Sequence, residues 1–142
     1  MKLAQILERI ENARIGEPVK LIAVSKNVTT KEVLELFEQG QTSFGENRVQ
    51  ELKNKREILS NLPIERHFIG RLQSNKINHL LALKPALWQS CESVEAALAV
   101  DKRLGCELPC LLQINSARED SKQGISPEAA EAAFLQIAQE CK

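Results

Sequence analysis

The stretch "KLIAVSKNVTTKE", residues 20–32, contains a complete strand-to-helix junction. A short apolar run, residues 21–25, is followed directly by a lysine, Lys26. Thr29 then stands three residues before Glu32. This is the spacing of a capping box, in which two side chains satisfy backbone N–H groups left open in the first helical turn. The stretch therefore predicts one β-α unit, a buried strand followed at once by a helix.

The same arrangement recurs along the chain. Five short apolar runs are candidate strands: 21–25, 41–45, 66–70, 86–90 and 110–115. Their starts fall 20, 25, 20 and 24 residues apart. Each interval is close to the length of a strand, a loop and a helix, so the spacing favours a repeating parallel architecture.

Helix signals lie between these runs. Asn47 and Gln50 have the spacing of a second capping box. Ser126 and Pro127 place a cap and a residue suited to the first helical position. Gly40 stands where the first of these helices is expected to end, because glycine adopts the left-handed conformation readily.

An additional helix is predicted before the first strand. It carries an apolar stripe and ends near Gly16 and Pro18; the stripe consists of Leu3, Ile6, Leu7 and Ile10. We expect this helix to cover one face or one end of the sheet.

The fold class is α/β, because apolar strands joined by helices need both faces of a parallel sheet covered. Two architectures satisfy this need, a doubly wound sheet and a (β/α) barrel. Periodicity does not choose between them. A complete eight-unit barrel takes about 250 residues, so five units in 142 residues make a partial one.

Composition narrows the classes of partner. The chain is 43% hydrophobic, which suits one domain, residues 1–142, with a core of its own. Nineteen basic and nineteen acidic side chains give a formal net charge of zero, which disfavours nucleic acid and anionic membranes as partners. Glu8 and Arg9 interrupt what would be the apolar core of a signal peptide, so a cytoplasmic location is expected.

The cysteines and the absent motifs exclude several chemistries. None of the four cysteines (Cys91, Cys106, Cys110 and Cys141) forms a close C-x-x-C pair, so we expect small apolar side chains and no metal. The sequence contains no G-x-G-x-x-G, P-loop, G-x-S-x-G or H-E-x-x-H motif. Dinucleotide binding, phosphate transfer, serine hydrolysis and zinc proteolysis therefore lack sequence support.

Candidate site residues follow the predicted strands, because ligand sites of parallel α/β folds lie at the carboxyl ends of the strands. They are Ser25, Lys26, Glu46, Asn47, Arg48, Arg71, Gln73, Gln89, Ser90, Gln113, Asn115, Glu119 and Lys122. Lys26 ranks first, since a partly desolvated amine loses its proton and adds to an aldehyde to form a Schiff base. The alternative is that Lys26 is an ordinary solvated loop lysine.

Two further segments also have two interpretations. "FGENRVQE", residues 44–51, is either a ligand-holding loop or an ordinary capped β-α junction. "HFIGRLQSNK", residues 67–76, has the basic residues of a nucleic-acid loop but almost no aromatic interleaving. Within it, His67 is either a ligand or a satisfied core histidine, and His79, just beyond, is expected to face solvent.

These blocks, with "AVSKNVT" and "LLQINSAREDSKQG", occur in the order found in the pyridoxal-phosphate homeostasis proteins. The chain resembles that family from about residue 20 to about residue 126. Its members are single-domain relatives of the N-terminal barrel of alanine racemase, so the resemblance implies a TIM-type barrel. It also implies that Lys26 holds pyridoxal 5'-phosphate as a Schiff base.

The resemblance extends to other positions with less support. Asn47 is expected beside the cofactor ring, with His67 and Ser90 on the same wall. Lys122 is a second amine, for which we hypothesise a role in loading or releasing the cofactor.

The family resemblance implies a non-catalytic carrier that takes part in intracellular pyridoxal phosphate homeostasis and hands the cofactor to pyridoxal-phosphate-dependent apoenzymes. One alternative is a fragment of an amino-acid racemase or decarboxylase. A racemase of this fold uses a second base, usually a tyrosine, and the sequence contains no tyrosine. The other alternative is a scaffold that retains the motifs without binding the cofactor.

The sequence departs from the family pattern after about five units, and we expect it to be truncated or a fragment. Family members carry a later Gly/Ser-rich loop that grips the cofactor phosphate. Since charge-assisted hydrogen bonds contribute roughly 1.5 to 3 kcal/mol each, we expect weak cofactor binding without that loop. An unclosed barrel also has exposed strand edges, which favour a homo-oligomer.

Overall fold

The structure is a computed structural model that describes residues 2–105, 107–119 and 121–141. Its strands are β1 (Ala23–Val24), β2 (Ser43–Glu46), β3 (Glu65–Phe68), β4 (Leu87–Cys91) and β5 (Cys110–Leu112). Its α-helices are α1 (Leu3–Ala13), α2 (Thr30–Glu38), α3 (Val49–Ile58), α4 (Ile77–Leu83), α5 (Val94–Asp101) and α6 (Ala130–Glu140). Short 3-10 turns, Ser74–Lys76 and Pro127–Ala129, lead into α4 and α6.

The strands form one parallel sheet in the order β1-β2-β3-β4-β5, which is also their order along the chain. All five predicted strands are confirmed, with bounds that differ from the prediction by up to three residues. At one edge of the sheet, β1 has two residues and pairs with β2. At the other edge the predicted fifth strand is split, since Ile114 forms an isolated bridge to Ile125 beyond the end of β5.

Helices begin at all three predicted positions, and the predicted side-chain caps form at two of them. Thr29 and Glu32 form the capping box of α2, and the Ser126 side chain accepts a hydrogen bond from the backbone N–H of Ala129. The predicted Asn47–Gln50 box is wrong, because α3 begins at Val49 without a side-chain cap. Asn47 instead remains in the connecting loop, where its backbone packs against Gly70.

The helix ends follow the sequence closely. Helix α2 stops at Glu38, and Gly40 has a φ of +98°, the left-handed conformation expected at that stop. Of the stripe on α1, Leu3 is buried but Leu7 is 42% exposed, so α1 packs less closely than predicted.

The apolar core lies between the sheet and its helices. One cluster surrounds the fully buried Phe68 and Trp88 and includes side chains from α3, α4 and α5. A second, smaller cluster consists of Val33, Phe44, Leu59 and Ile64. The opposite face of the sheet is more open, since Val24 and Leu111 are 50% and 52% exposed. The expectation that both faces are buried therefore fails at the two edge strands, β1 and β5, whereas His67 on the central strand β3 is 2% exposed.

The cysteines also differ in their environments. Cys91 is buried in the core, as expected for a small apolar side chain. Cys110 is exposed and Cys141 is half-buried, which the sequence does not predict. Cys106 lies outside the described residues.

Candidate functional site

Lys26 lies in a tight turn at the carboxyl end of β1. Its neighbour Ser25 is anchored to β2, because the Ser25 backbone N–H donates to the carbonyl oxygen of Gly45 over 3.0 Å. The turn is closed by a 3.2 Å hydrogen bond from the N–H of Val28 to the carbonyl oxygen of Ser25. Lys26 is exposed, whereas a partly desolvated amine is expected from the sequence.

Lys26 and Asn47 meet at one cavity of about 100 Å³ between the ends of β1 and β2. The complete lining is Lys26, Asn27, Glu46, Asn47, Arg48 and Glu51. Parallel pairing of β1 with β2 brings the two strand ends to the same edge of the sheet. The structure therefore brings together the two highest-ranked residues of the predicted site.

A buried polar network lies beneath this cavity. Ser25, Glu46 and Lys55 are only 4%, 2% and 7% exposed. Glu46 Oε1 accepts a 2.7 Å hydrogen bond from the Ser25 hydroxyl, and it also accepts one from Lys55 Nζ. Lys55 Nζ donates a further bond to the Ser25 carbonyl oxygen. The residue immediately before Lys26 is thus held by a buried ion pair.

One oxygen of this network has no partner. Glu46 Oε2 and His67 Nε2 are the two buried side-chain polar atoms without a hydrogen bond in the part of the chain that the structure describes. Buried polar groups are normally paired. Glu46 is among the residues that line the Lys26 cavity, but this oxygen is itself buried.

A second cavity, of about 380 Å³, adjoins the first and shares Asn47 and Arg48 with it. It lies at the N-terminus of α3, and its other lining residues are Val49, Gln50, Arg71, Gln73 and Lys76. Arg71 is partly neutralised, since its Nε lies 3.1 Å from Glu92 Oε1. The predicted segments 44–51 and 67–76 thus share one wall beside the Lys26 cavity.

His67 lies apart from the Lys26 cavity, on a neighbouring strand. It is 2% exposed, and its Nδ1 is 3.0 Å from the side-chain nitrogen of Gln89. The Gln89 amide donates to Nδ1 in the neutral tautomer that carries its proton on Nε2. Burial lowers the pKa of His67, with Glu65 partly opposing the shift. The ring is buried and bonded through Nδ1, as in a core histidine, but Nε2 has no hydrogen-bond partner, and a cofactor role for His67 stays a prediction.

Ser90 does not line the Lys26 cavity either. Its hydroxyl donates to the carbonyl oxygen of Gly70 and accepts a 3.1 Å bond from the Trp88 indole N–H. Because Trp88 belongs to the helix-facing core, Ser90 lies on that side of the sheet. Its hydroxyl is already engaged, and a role in holding the cofactor stays a prediction.

Lys122 is exposed in the loop after β5. Its backbone N–H donates to the carbonyl oxygen of Glu119 over 3.0 Å. The strand before this loop is at the opposite edge of the sheet from β1. The structure therefore does not bring Lys122 to Lys26.

Lys55 is the site residue that the sequence interpretation missed. It occupies a core position of α3, on the stripe formed by Val49, Leu52 and Leu59, all of which are buried. The sequence does contain a signal for this role. A lysine stands at a core position of the helix, nine residues after a glutamate that ends a strand. Lysines are rarely buried without a charged partner, so that pattern predicts a buried ion pair.

Comparison with known proteins identifies the family. The family model described as alanine racemase, N-terminal domain, matches residues 2–142. A curated protein of Helicobacter pylori, named pyridoxal phosphate homeostasis protein, is 46% identical over 99% of this chain. The chain belongs to the pyridoxal phosphate homeostasis protein family. A family member from Aquifex aeolicus is 37% identical over 89% of the chain.

Solved structures agree with this assignment. PipY of Synechococcus elongatus, solved without and with bound PLP, is 35% identical and superposes with TM-scores of 0.79 and 0.76. Alanine racemase of Corynebacterium glutamicum, at 17% identity and a TM-score of 0.72, shares the fold. The barrel type predicted from the resemblance is therefore confirmed over the doubly wound sheet.

The chain spans only part of the proteins it matches. It covers 67% of the Helicobacter pylori protein, 59% of the Aquifex aeolicus protein and 66% of the PipY chain solved without PLP. Within residues 2–105, 107–119 and 121–141, no helix has the length and apolar character needed to cross a membrane.

Proposed function

We propose that this family member binds pyridoxal phosphate as a Schiff base on Lys26 and takes part in pyridoxal phosphate homeostasis without turning over a substrate. The observation that carries the proposal is the cavity shared by Lys26 and Asn47 at the ends of two adjacent parallel strands. This is where parallel α/β folds bind ligands. Relatives named for pyridoxal phosphate homeostasis support the assignment of the ligand.

The residues at the cavity fit the aldehyde part of the cofactor. When bound, pyridoxal phosphate supplies an aldehyde that condenses with an amine and releases water. Lys26 offers an exposed amine at the cavity, and Asn47 lies in the same lining with an amide that both donates and accepts. The amine and the amide form a donor and acceptor set suited to a polar aromatic aldehyde.

A titration of the protein with pyridoxal phosphate, followed by absorbance, tests the proposal. The wild-type protein is expected to show the spectral change of an aldehyde bound to an amine. Lys26→Met is expected to lose that change, because its side chain has similar length but no amine. The matched control is Lys31→Met, which removes an amine that is 84% exposed on α2. The proposal would be contradicted if Lys26→Met showed the same spectral change as wild type, or if Lys31→Met lost that change.

Absence of turnover is a separate part of the proposal. The buried His67 is engaged with Gln89, and the chain has no tyrosine to serve as a second base. We therefore expect no interconversion of L- and D-alanine and no decarboxylation of amino acids when protein and pyridoxal phosphate are mixed. Chiral chromatography of the amino acids measures this, and conversion that depends on Lys26 would favour the enzyme alternative.

The further partners belong to the same proposal. Pyridoxal-phosphate-dependent apoenzymes are the expected recipients in the cytoplasm, and a second copy of the chain is expected to pair along an exposed strand edge. Lys122 is expected to assist loading or release, although it lies at the other edge of the sheet. Activation of an apoenzyme by loaded protein, compared between wild type and Lys122→Ala, measures delivery. Equal delivery rates would remove Lys122 from the proposal.

A further inference from the structure

We propose that Glu46 and Lys55 are positioning residues for Lys26, because their buried ion pair holds the turn that presents the Lys26 amine at the cavity. The inference rests on the proposed function, in which Lys26 reacts with the aldehyde. It assigns a task to a helix residue, Lys55, that has no place in the cavity lining.

The contacts converge on the residue before Lys26. The carbonyl oxygen of Ser25 accepts hydrogen bonds from Lys55 Nζ and from the N–H of Val28. The hydroxyl of Ser25 donates to Glu46 Oε1 over 2.7 Å. Its N–H donates to Gly45. Every polar group of Ser25 is therefore engaged, and the start of the Lys26 turn is fixed to both β2 and α3.

The ion pair between Glu46 and Lys55 differs from the surface ion pairs of the structure in its burial. The side chains of Lys55 and Glu46 are 9% and 3% exposed, whereas those of Lys53 and Glu57, on the same helix, are 52% and 65% exposed. A buried ion pair loses its hydration, and apolar residues of similar volume often stabilise a fold equally well. Stability alone is therefore a weak explanation for the charged pair, and its attachment to the Lys26 turn supplies a specific one.

The same contacts distinguish the two amines near the site. Lys55 Nζ donates to Ser25 and to Glu46, and Glu51 Oε2 lies 3.9 Å away. Lys26 is exposed at the cavity. We therefore expect an aldehyde to react with Lys26 and to leave Lys55 unmodified, although both amines approach the same edge of the sheet.

The test separates positioning from stability with Glu46→Gln, Lys55→Met and the double variant Glu46→Gln/Lys55→Met. Urea unfolding measures the stability of each variant. Stopped-flow absorbance measures its rate of reaction with pyridoxal phosphate, and peptide mapping of the adduct shows whether the reaction is at Lys26. Lys55→Met alone leaves a buried charge unpaired and is expected to be the least stable variant. The double variant is expected to regain much of that stability. Lys53→Met is the matched control on the same helix and is expected to change neither quantity.

The rate decides between the two explanations. In the double variant the rate constant at Lys26 is expected to be lower by about tenfold or more, because small misplacements of a reacting group are costly. A purely structural role would lower the fraction of reactive protein and leave the rate constant unchanged. A folded double variant that reacts at the wild-type rate would overturn the inference.

A milder variant covers the case in which the double variant does not fold. Ser25→Ala removes the hydroxyl bonds to Glu46 and to the carbonyl oxygen of Gly45, and it leaves the backbone bond from Lys55 in place. We expect it to fold and to react more slowly than wild type, and a wild-type rate would count against the inference. If the wild-type protein itself does not react at Lys26, the proposed function fails and the inference with it. If wild type reacts at Lys26 and the folded variants react with the same rate constant, the inference fails and the proposed function stands.

Discussion

His67 Nδ1 lies 3.0 Å from the side-chain nitrogen of Gln89, and this contact joins β3 to β4 on the face of the sheet away from the main core. The ring is 2% exposed, and Glu65 Oε1 lies 3.4 Å from Nε2 at ion-pair separation but without a hydrogen bond. Burial therefore outweighs the nearby carboxylate, and the pKa of His67 falls below its usual value.

The lowered pKa makes stability depend on pH. The unfolded chain binds a proton at His67 near pH 6.5, whereas the folded protein binds it only at lower pH. The free energy of unfolding is therefore expected to fall as the pH drops from about 6.5 through the folded-state pKa. Urea unfolding of wild type and His67→Gln between pH 5 and 8 measures this, and the variant is expected to lose that part of the slope.

The control for this prediction is His79→Gln. His79 is exposed on α4, away from the contact between His67 and Gln89, so His79→Gln shows what the loss of a histidine outside that contact does to the slope. A His67→Gln protein with the full wild-type slope would contradict the assignment of that slope to His67.

Gly70→Ala is expected to disturb the candidate site through its backbone. A Cβ atom at Gly70 would lie 1.9 Å from the carbonyl oxygen of Asn47, so the Asn47 loop must shift. We expect a loss of stability of about 1 to 3 kcal/mol, the usual cost of overpacking, together with weaker binding of pyridoxal phosphate. Gly105→Ala is the control, because nothing lies within 4 Å of a Cβ atom there. Urea unfolding and the absorbance titration measure both effects, and equal behaviour of the two variants would contradict this packing.

Thr29→Ala is expected to destabilise α2 by about 1 kcal/mol, because its hydroxyl caps the N–H of Glu32. Asn47→Ala removes no cap, since α3 has no side-chain cap. Urea unfolding of the two variants compares a capping box that forms with one that does not. A larger loss for Asn47→Ala than for Thr29→Ala would indicate that Asn47 has a structural role beyond the contacts described.

The fold was predictable where local signals and tertiary packing agree. The Thr29–Glu32 box and the left-handed Gly40 both depend on neighbours close in sequence, and both are confirmed. The Asn47–Gln50 box failed because the helix begins one residue later, with Arg48 at the N-cap, while the Asn47 backbone lies against Gly70. The contact between Asn47 and Gly70 joins residues that are distant in sequence, so local spacing does not predict it.

The candidate site was predictable only in part. Lys26 and Asn47 follow adjacent strands, so the parallel order of the sheet brings them together. Ser90 was harder to place, because it lies near the end of a strand. The face on which it lies depends on strand twist and on the bulge in β4. Lys55 was not predicted, because its role depends on an ion pair with Glu46 that is buried between a helix and a strand.

Reductive trapping tests the central claim most directly. The protein is mixed with an equimolar amount of pyridoxal phosphate and reduced with borohydride, and the labelled peptides are mapped. We predict that most of the label is on Lys26, with little on exposed lysines such as Lys31 and none on the buried Lys55. Label distributed over the exposed lysines, with no preference for Lys26, would contradict the account.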